Sequence, residues 1–251
     1  MKESHNGSSR EVMIEIKNLK KGFQNQEVLT DVSLKLFNGE NLVVLGKSGS
    51  GKSVLIKCIV RLLIHDEGSI SVLGEDLNSL KTKELGELRK KMGFLFQSGA
   101  LYDSMTVKQN LEFPLKRIKK GLSENEVNEK INEALENVGL IQTMDKMPSE
   151  LSGGMRKRIS LARTIIVDPL IMLYDEPTTG LDPVTSMEIS LLIKDVQKKY
   201  KTSSIIITHD IECVRATADR IIMLHEGKVY MEGNIDAFEN STDPLIKSFF
   251  K

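Results

Sequence analysis

A phosphate-binding motif stands near the N-terminus of the sequence. Residues 46–53 read GKSGSGKS and fit the pattern G-x-x-x-x-G-K-[ST]. The glycines of such a loop let backbone N–H groups turn inward, toward phosphate oxygens. Lys52 would reach the β- and γ-phosphates of a nucleotide, and the hydroxyl of Ser53 would ligate Mg²⁺. We therefore predict a nucleoside triphosphate site at Gly46, Lys47, Ser48, Gly49, Ser50, Gly51, Lys52 and Ser53.

Both flanks of this motif have the sequence expected around a phosphate-binding loop. Residues 42–45 form a short apolar run, which predicts a buried parallel strand. Residues 54–63 are apolar nearly all round, which predicts a buried helix. The N-terminus of that helix would add partial positive charge on the side of the phosphates. A glycine- and serine-rich turn that matched the motif by chance would lack this strand and this helix.

Single polar residues follow two other predicted strands. Gln97 comes directly after residues 92–96, and His209 comes directly after residues 203–208. The carboxyl ends of parallel strands border the ligand crevice of an open α/β sheet. An amide there can contact Mg²⁺ or orient a water, although a surface glutamine fits the same pattern. A lone histidine is more often structural, but the crevice edge favours a functional role for His209.

Two adjacent acids follow a further predicted strand, over residues 170–174. Asp175 and Glu176 cannot both point the same way. One of them can face Mg²⁺, usually through water, while the next can accept a proton from an attacking water. Two solvated acids at a strand end are the alternative, which the nearby phosphate-binding motif makes the weaker interpretation.

A second candidate anion site lies in the sequence LSGG. Gly153 and Gly154 stand just ahead of a helix predicted to run to residue 167, with Ser152 at its expected N-cap. The N–H groups at a helix N-terminus favour a bound anion. Two anion sites in a chain with one triphosphate loop need an explanation.

The remaining patterns predict the elements that would hold these residues. Residues 12–16 and 28–36 alternate with period two, which predicts antiparallel strands joined by a turn over residues 22–26. Phe23 lies in that turn, where its ring could stack on a base or could belong to the core or the turn itself. From residue 98 to about 167 the pattern becomes helical, which predicts an inserted helical subdomain.

Length and composition limit the possible classes of protein. The chain has 251 residues, enough for one sizeable α/β domain, which we place at residues 11–251 after a flexible tail at residues 1–10. Its 35 Lys+Arg balance 35 Asp+Glu, whereas a nucleic-acid-binding domain would usually be basic. No apolar run approaches the ~20 residues that cross a bilayer, and no signal peptide is recognisable. The two cysteines lack metal-ligand spacing and predict reduced thiols.

The order of these motifs resembles an ABC-type ATPase. The LSGG sequence does not belong to other families with this phosphate-binding loop. The resemblance implies an α/β P-loop NTPase (RecA-like) core, an antiparallel β subdomain and the inserted α-helical subdomain. It also explains the second anion site, because two chains of this family hold two ATP molecules between them, head to tail. The residues that carry it are the phosphate-binding motif, Gln97, residues 151–154, Asp175, Glu176, Asp182 and His209.

The resemblance implies a role for each candidate residue. Phe23 would stack on adenine, and Gln97 would couple Mg²⁺ to a transport partner. Glu176 would be the general base, and His209 would hold the γ-phosphate and the water. The ligands of Mg²⁺ would be Ser53, Gln97 and Asp175. The residues that would cap the ATP of the opposite chain, or lie at the interface with it, are Ser152, Gly153, Gly154 and Asp182.

Residues 96–107 and 147–158 look, more narrowly, like the ATPases of Mla/Mce-type phospholipid transporters. In that group the glutamine precedes a Ser-Gly-Ala-Leu run, and methionine and basic residues follow LSGG. Val54 agrees with this narrower likeness. Most ABC ATPases have a threonine or serine there that binds the α-phosphate, whereas this group often has an apolar residue. The resemblance implies a phospholipid cargo, a homodimer, a separate integral membrane permease dimer and an Mce-type lipid-binding partner. It also implies a place on the cytoplasmic face of the inner membrane.

Two alternatives remain open. One is an ABC ATPase for another cargo, such as an amino acid, a lipoprotein or a drug, and only residues 98–107 and 155–158 argue against it. A non-transport ABC protein that acts on DNA or the ribosome would usually contain a long coiled coil or two cassettes. This chain has one cassette, no sustained heptads and zero net charge, so we expect no nucleic-acid partner.

Overall fold

The computed structural model describes residues 10–24 and 26–250, so the predicted tail lies outside the described residues except for Arg10. Among the described residues, no helix combines the length and the apolar character that crossing a bilayer requires. The strands are β1 (Val12–Phe23), β2 (Gln26–Phe37), β3 (Asn41–Leu45), β4 (Glu67–Val72), β5 (Glu75–Asp76), β6 (Met92–Leu95), β7 (Ile171–Asp175), β8 (Ser203–Thr208), β9 (Arg220–His225) and β10 (Lys228–Gly233). The helices are α1 (Lys52–Ile59), α2 (Thr82–Lys90), α3 (Val107–Ile118), α4 (Glu124–Asn137), α5 (Gly153–Ile165), α6 (Pro183–Tyr200), α7 (Ile211–Thr217), α8 (Ile235–Glu239) and α9 (Pro244–Phe250).

These strands form one sheet in the order β5-β4-β1-β2-β10-β9-β3-β8-β7-β6, and half of it is parallel. In that half β3 pairs with β8 and β9, and β7 pairs with β6 and β8. Every residue of β3, β7 and β8 is buried, because α1 packs on one face while α6 and α7 pack on the other. Burial on both faces explains why these strands are apolar without alternation. Their carboxyl ends meet at one edge of the sheet.

The other half of the sheet is antiparallel. β1 pairs with β2 and with β4, and β4 pairs with β5. β10 joins the two halves, since it is antiparallel to β9 and parallel to β2. Apolar side chains of this half, such as Ile14, Leu19 and Leu29, pack in one core with α1. The predicted antiparallel β subdomain is therefore confirmed.

α3, α4 and α5 form the predicted helical part of the fold, with an apolar core of its own that includes Leu111 and Ile131. α5 packs on two sides: Ile159 belongs to this helical core, and Leu161 belongs to the core of the parallel sheet. Each of the three helices begins with a side-chain cap that accepts the backbone N–H three residues later. The caps are Thr106, Ser123 and Ser152.

The β hairpin at the start of the chain is longer than its sequence predicts. β1 runs to Phe23 and β2 begins at Gln26, so the turn does not span residues 22–26. Phe23 therefore ends a strand. The carboxylate of Asp66 accepts the backbone N–H of Gly22 at 2.7 Å, which ties the end of the hairpin to the rest of the molecule.

α1 is shorter than predicted, because it ends at Ile59 although the apolar run continues to residue 63. Arg61 adopts a left-handed backbone conformation with φ 54°, which stops the helix. The guanidinium of Arg89 donates to the carbonyls of Val60 and Arg61, at 2.9 and 3.0 Å. This side chain thereby partners carbonyls at the helix end.

Candidate active site

The phosphate-binding loop connects β3 to α1 along a path that needs glycine at two points. Gly51, directly before α1, has a φ of 97°, a conformation that other residues rarely adopt. A Cβ atom there would lie 2.7 Å from Cδ2 of Leu29, and a Cβ atom at Gly46 would lie 2.6 Å from the carbonyl oxygen of Leu224. The loop therefore lies tightly against β2 and β9, which fixes its path.

The side chain of Lys52 lies inside the curve of this loop. It is 5% exposed, and its Nζ is 3.4 Å from Oε1 of Glu176. Nζ donates to the carbonyl oxygens of Gly46, at 2.7 Å, and Lys47, at 3.1 Å. A buried ammonium group needs such partners, because burying a charge without them is costly. Phosphate oxygens at the same place would offer stronger, charge-assisted hydrogen bonds.

The two adjacent acids are directed to different groups, as their position at a strand end predicts. Asp175 ends β7, and its Oδ1 accepts the hydroxyl of Ser53 at 3.1 Å. Glu176 has a left-handed backbone with φ 49°, and its N–H donates to the carbonyl of Ile207 in β8 at 2.9 Å. This conformation costs a residue other than glycine about 1–3 kcal/mol. The left-handed backbone turns the side chain of Glu176 toward Lys52 in the phosphate-binding loop.

The carboxylate of Glu176 has polar groups on both sides. Oε2 accepts the hydroxyl of Thr179 at 3.3 Å and lies 2.8 Å from Nδ1 of His209. Oε1 faces the ammonium group of Lys52. The Glu176 side chain is 12% exposed, whereas that of His209 is 56% exposed. A shielded carboxylate in this place can accept a proton from a water held in the cleft.

The oxygen-bearing side chains near these acids fit Mg²⁺. Ser53 and Asp175 are hydrogen-bonded to each other, and Gln97 lines the same cleft. Burial raises the pKa of Asp175 above its usual value, against the opposing effect of the Ser53 hydrogen bond, so a nearby cation would favour the ionised form. In residues 10–24 and 26–250, no cluster of three or more His, Cys, Asp or Glu could hold a metal by itself. Hydroxyl, carboxylate and amide oxygens are ligands that Mg²⁺ accepts together with phosphate oxygens.

The strand-end residues and the phosphate-binding loop share one cleft, with a volume of about 420 Å³. Gln97, Glu176 and His209 border it together with part of the loop, as predicted from their places after β6, β7 and β8. Gly46, Lys47 and Ser50 belong to the loop without lining the cleft. The lining residues are Val28, Ser48, Gly49, Gly51, Lys52, Ser53, Val54, Gln97, Glu176, Thr179 and His209.

Two lining residues were not predicted from the sequence. Thr179 stands three residues after Glu176 and bonds to it, a spacing that could have indicated its role. Val28 lines the cleft because β2 packs on the phosphate-binding loop, and no local sequence signal reveals that contact. Val54 lies there as predicted, and its apolar side chain offers no hydrogen bond to a phosphate. The hydroxyl of Ser50 is buried without a hydrogen-bond partner in the part of the chain that the structure describes.

Phe23 lies away from this cleft, at the end of β1. Its side chain is 42% exposed, which excludes the alternative that it belongs to the core. The Nζ of Lys21 lies 5.3 Å from the centre of its ring, a cation–π distance. The ring is thus available to a flat ligand beyond the residues that line the cleft.

The LSGG residues and Asp182 form a second patch, separate from the cleft. Ser152 caps α5, and Asp182 caps α6. The two carboxylate oxygens of Asp182 accept the backbone N–H and the hydroxyl of Thr185. A Cβ atom at Gly154 would lie 2.5 Å from Cγ2 of Thr185, and one at Gly153 would lie 3.5 Å from Leu181. α5 and α6 therefore meet closely at their N-termini. None of these residues lines the cleft of its own chain.

Comparison with known proteins places this geometry in a family. The sequence model described as "ABC transporter" matches residues 29–179, more than half of the chain. The chain is 40% identical over 238 residues to the Mycobacterium leprae protein called "Probable ribonucleotide transport ATP-binding protein mkl", covering 95% of this chain and 68% of that protein. It is 38% identical to the Arabidopsis thaliana protein TRIGALACTOSYLDIACYLGLYCEROL 3, covering 95% of this chain and 73% of that protein. It is also 38% identical to the methionine import ATP-binding protein MetN of Clostridium acetobutylicum, covering 94% of this chain and 73% of that protein.

A solved structure has the same fold. The ATP-binding cassette MJ0796, described as a dimer in a post-hydrolysis state with ADP and Pi bound, superposes with a TM-score of 0.81 at 32% identity. The match covers 89% of this chain and 99% of that one. Because both the sequence family and the three-dimensional fold agree, the chain belongs to the ABC transporter family and is an ATP-hydrolysing subunit.

Proposed function

We propose that this subunit powers the movement of phospholipid through a separate integral membrane permease dimer. Glu176 takes the proton from the attacking water, and His209 holds that water and the γ-phosphate. Lys52 and the loop hold the phosphates. Ser53, Asp175 and Gln97 would hold Mg²⁺, which would supply positive charge to neutralise the phosphate oxygens. The observation that supports ATP hydrolysis is the placement of Glu176 in the cleft. Its Oε2 lies 2.8 Å from Nδ1 of His209, and its Oε1 lies 3.4 Å from Nζ of Lys52.

We infer that two copies of the chain complete two such sites. The LSGG residues and Asp182 form an N-terminal helix patch that does not line the cleft of its own chain. A head-to-tail homodimer would bring this patch over the ATP of the partner, and the phosphate-binding loop of one copy would then face Ser152, Gly153 and Gly154 of the other. The partner patch offers helix N–H groups to the γ-phosphate. Phe23 would stack on the adenine beyond the cleft.

The support for a permease partner is a groove, with a volume of about 760 Å³, between the core and the helical part of the fold. Tyr102 and Phe113 supply half-exposed aromatic rings, 5.4 Å apart, on its apolar wall. Basic side chains surround these rings, while Glu87 is the acid among the lining residues. The fitting occupant is a short helix of the permease with an apolar face and acidic side chains. The basic residues of the groove are Lys83, Arg89, Lys90, Arg117, Lys120 and Arg163.

The phospholipid cargo rests on sequence likeness. Residues 96–107 and 147–158 have the pattern of Mla/Mce-type ATPases, and one relative carries the name of a galactolipid. An Mce-type lipid-binding protein would then complete the transporter, with this chain on the cytoplasmic face of the inner membrane. The names of other relatives point to methionine and to ribonucleotides as second candidates.

The experiment that tests this function is affinity purification of the Glu176→Gln chain from native membranes with ATP and Mg²⁺. Mass spectrometry then identifies the proteins and lipids that are bound. Recovery of an Mce-like permease, its lipid-binding partner and phospholipid supports the proposal. Recovery of a permease for methionine or nucleotides refutes the lipid cargo, and recovery of no membrane protein refutes the transport role.

A matched pair of variants tests the groove. Phe113 and Ile141 both lie in the helical part of the fold, and both are 40% exposed. We expect Phe113→Ser to lose the permease in the same purification, because Phe113 lies in the groove, and we expect Ile141→Ser to keep it. Equal recovery by both variants would contradict the proposed docking surface.

A further inference from the structure

A buried lysine on α5 contacts the two segments that carry the proposed hydrolytic residues. Lys157 is 6% exposed, although lysine is rarely buried unless it is paired. Its Nζ donates to the carbonyl oxygen of Gln97 and, at 3.5 Å, to the carbonyl oxygen of Glu176. One ammonium group thus joins α5 to the segments after β6 and β7.

The two carbonyls belong to the residues whose placement matters most for the reaction. The left-handed backbone of Glu176 is held from one side by the bond from its N–H to Ile207. Lys157 donates to the carbonyl oxygen of the same residue. The lysine therefore adds hydrogen bonds to both segments, the one after β6 and the one after β7.

Packing alone does not require a lysine at this position. α5 already joins the helical core and the sheet core through Ile159 and Leu161. An apolar side chain at position 157 would extend this packing at no cost of charge burial, whereas a buried lysine costs free energy unless its hydrogen bonds are made. The side chain begins one turn after the LSGG residues that start α5. It thus links the patch expected to meet the partner's ATP with the acids of its own cleft.

We propose that Lys157 is a positioning residue for ATP hydrolysis, which holds the main chains of Gln97 and Glu176 against α5. This inference rests on the roles assigned to Gln97 and Glu176 under the proposed function. Lys157 is not among the residues that line the cleft. Its effect is to keep Glu176 at the distance and angle that proton transfer needs, and a misplacement of about 1 Å can cost about 10²-fold in rate.

The test compares Lys157→Met, which keeps the length of the side chain and removes its donors, with Lys157→Gln, which keeps two N–H donors. Lys130→Met is the matched control, because Lys130 lies on α4 and is more exposed, and its Nζ contacts the exposed carboxylate of Asp168 at 3.3 Å. ATP turnover and ATP affinity are measured on the full chain with the membrane partner that copurifies. We expect Lys157→Met to lower kcat by about 10–100-fold with KM changed less than about 3-fold. Lys157→Gln should restore part of the rate, and Lys130→Met should leave it unchanged.

Amide hydrogen exchange separates positioning from a general structural role. The N–H of Gly99 donates to the carbonyl of Phe96, and that of Thr179 donates to the carbonyl of Glu176, so these amides report on the two held segments. We expect both to exchange faster in Lys157→Met while the melting temperature and the amides of β3 stay as in the parent chain. Unchanged kcat, or faster exchange throughout with a lower melting temperature, would overturn the proposal.

A parallel measurement on Glu176→Gln distinguishes failure of the proposed function from failure of the positioning role of Lys157. Turnover that survives in Glu176→Gln refutes the role of Glu176 as the base, which belongs to the proposed function. Exchange at Gly99 and Thr179 that is the same in Lys157→Met and the parent chain refutes the positioning role, whatever Glu176 does. If Lys157→Met does not fold, exchange at Gly99 and Thr179 is compared between Lys157→Gln and the parent chain instead.

Discussion

Replacing Glu176 by glutamine tests the central assignment of the active site. The substitution keeps the shape of the side chain and a carbonyl oxygen that can still accept from Thr179, which lies 3.3 Å from Oε2. It removes the negative charge 3.4 Å from Lys52 and the group that can take a proton. The left-handed backbone of residue 176 costs about the same for both side chains, because each carries a Cβ atom. The fold should therefore remain.

The expected loss is a loss of rate and not of binding. A positioned general base contributes about 10²–10⁴-fold, which corresponds to about 2.7–5.4 kcal/mol of barrier at 1.36 kcal/mol for each factor of ten. ATP affinity should be equal or higher, since removing a carboxylate beside the γ-phosphate site removes charge repulsion. The assay is single-turnover release of phosphate from ATP with Mg²⁺, together with equilibrium ATP binding.

The outcome of that assay separates three possibilities. A large fall in rate with ATP binding retained agrees with a base at Glu176. A rate within about 3-fold of the parent chain would falsify the assignment, because among the described residues Glu176 is the acid whose carboxylate lies within 4 Å of a ring nitrogen of His209. A fall in rate that accompanies lost ATP binding would mean that Glu176 holds the phosphate-binding loop through Lys52. Asp210→Asn is a suitable control: this acid lies next to His209, and it caps α7 and bonds to Thr178 outside the cleft.

Three further predictions concern Lys52, Val54 and the buried thiol of Cys213. Lys52→Ala should weaken ATP binding, because it removes the ammonium placed for the phosphates, and unchanged affinity in a binding titration would contradict the loop assignment. Val54→Thr should tighten ATP binding by about 3–10-fold, since a hydroxyl in the cleft adds one hydrogen bond worth about 0.5–1.5 kcal/mol; weaker binding would mean that the position does not face the α-phosphate. Burial raises the pKa of Cys213 to about 11, so its thiolate fraction should rise by about tenfold per pH unit up to that value. Labelling by iodoacetamide should then be slow at pH 8 and fast only after unfolding, and rapid labelling of the native chain would show that the thiol is not buried.

The sequence predicts the parts of this site that depend on local order along the chain. The phosphate-binding loop has a strand before it and a helix after it, and polar residues follow strands, so Gln97, Asp175, Glu176 and His209 could be placed at one edge of the sheet. Topology then brings them together without further information, because parallel strands all end on the same side. A local pattern was also sufficient for the cap of α5, since Ser152 directly precedes that helix.

Other features depend on contacts between distant residues. Val28 lines the cleft only because β2 packs on Gly51, and the end of α1 depends on Arg89, which lies 28 positions from Arg61 and reaches its carbonyl. An apolar run cannot reveal where such a helix stops. Nor does any spacing show that Lys157 turns inward, because short basic runs usually lie on a solvated face. Each of these contacts requires the folded chain.

The segment after β6 explains how a partner in the groove could act on hydrolysis. It begins at Gln97, which borders the ATP cleft, and five residues later reaches Tyr102, which lines the groove. Arg163 of α5 donates to the carbonyl of Ala100 at 2.7 Å, and Lys157 of the same helix holds the carbonyl of Gln97. The segment is therefore held against α5 at both the cleft and the groove.

A buried asparagine completes this connection on the side of α3. Asn110 is fully buried, and its amide bonds to the N–H and carbonyl of Tyr102 and to the carbonyls of Met105 and Thr106. Such a network is stable only when all of its members are satisfied, so it resists being stretched. A permease helix that moved Tyr102 would therefore move the segment as a unit, instead of deforming it. Motion at the groove would in this way reach Gln97, and through Lys157 it would reach Glu176.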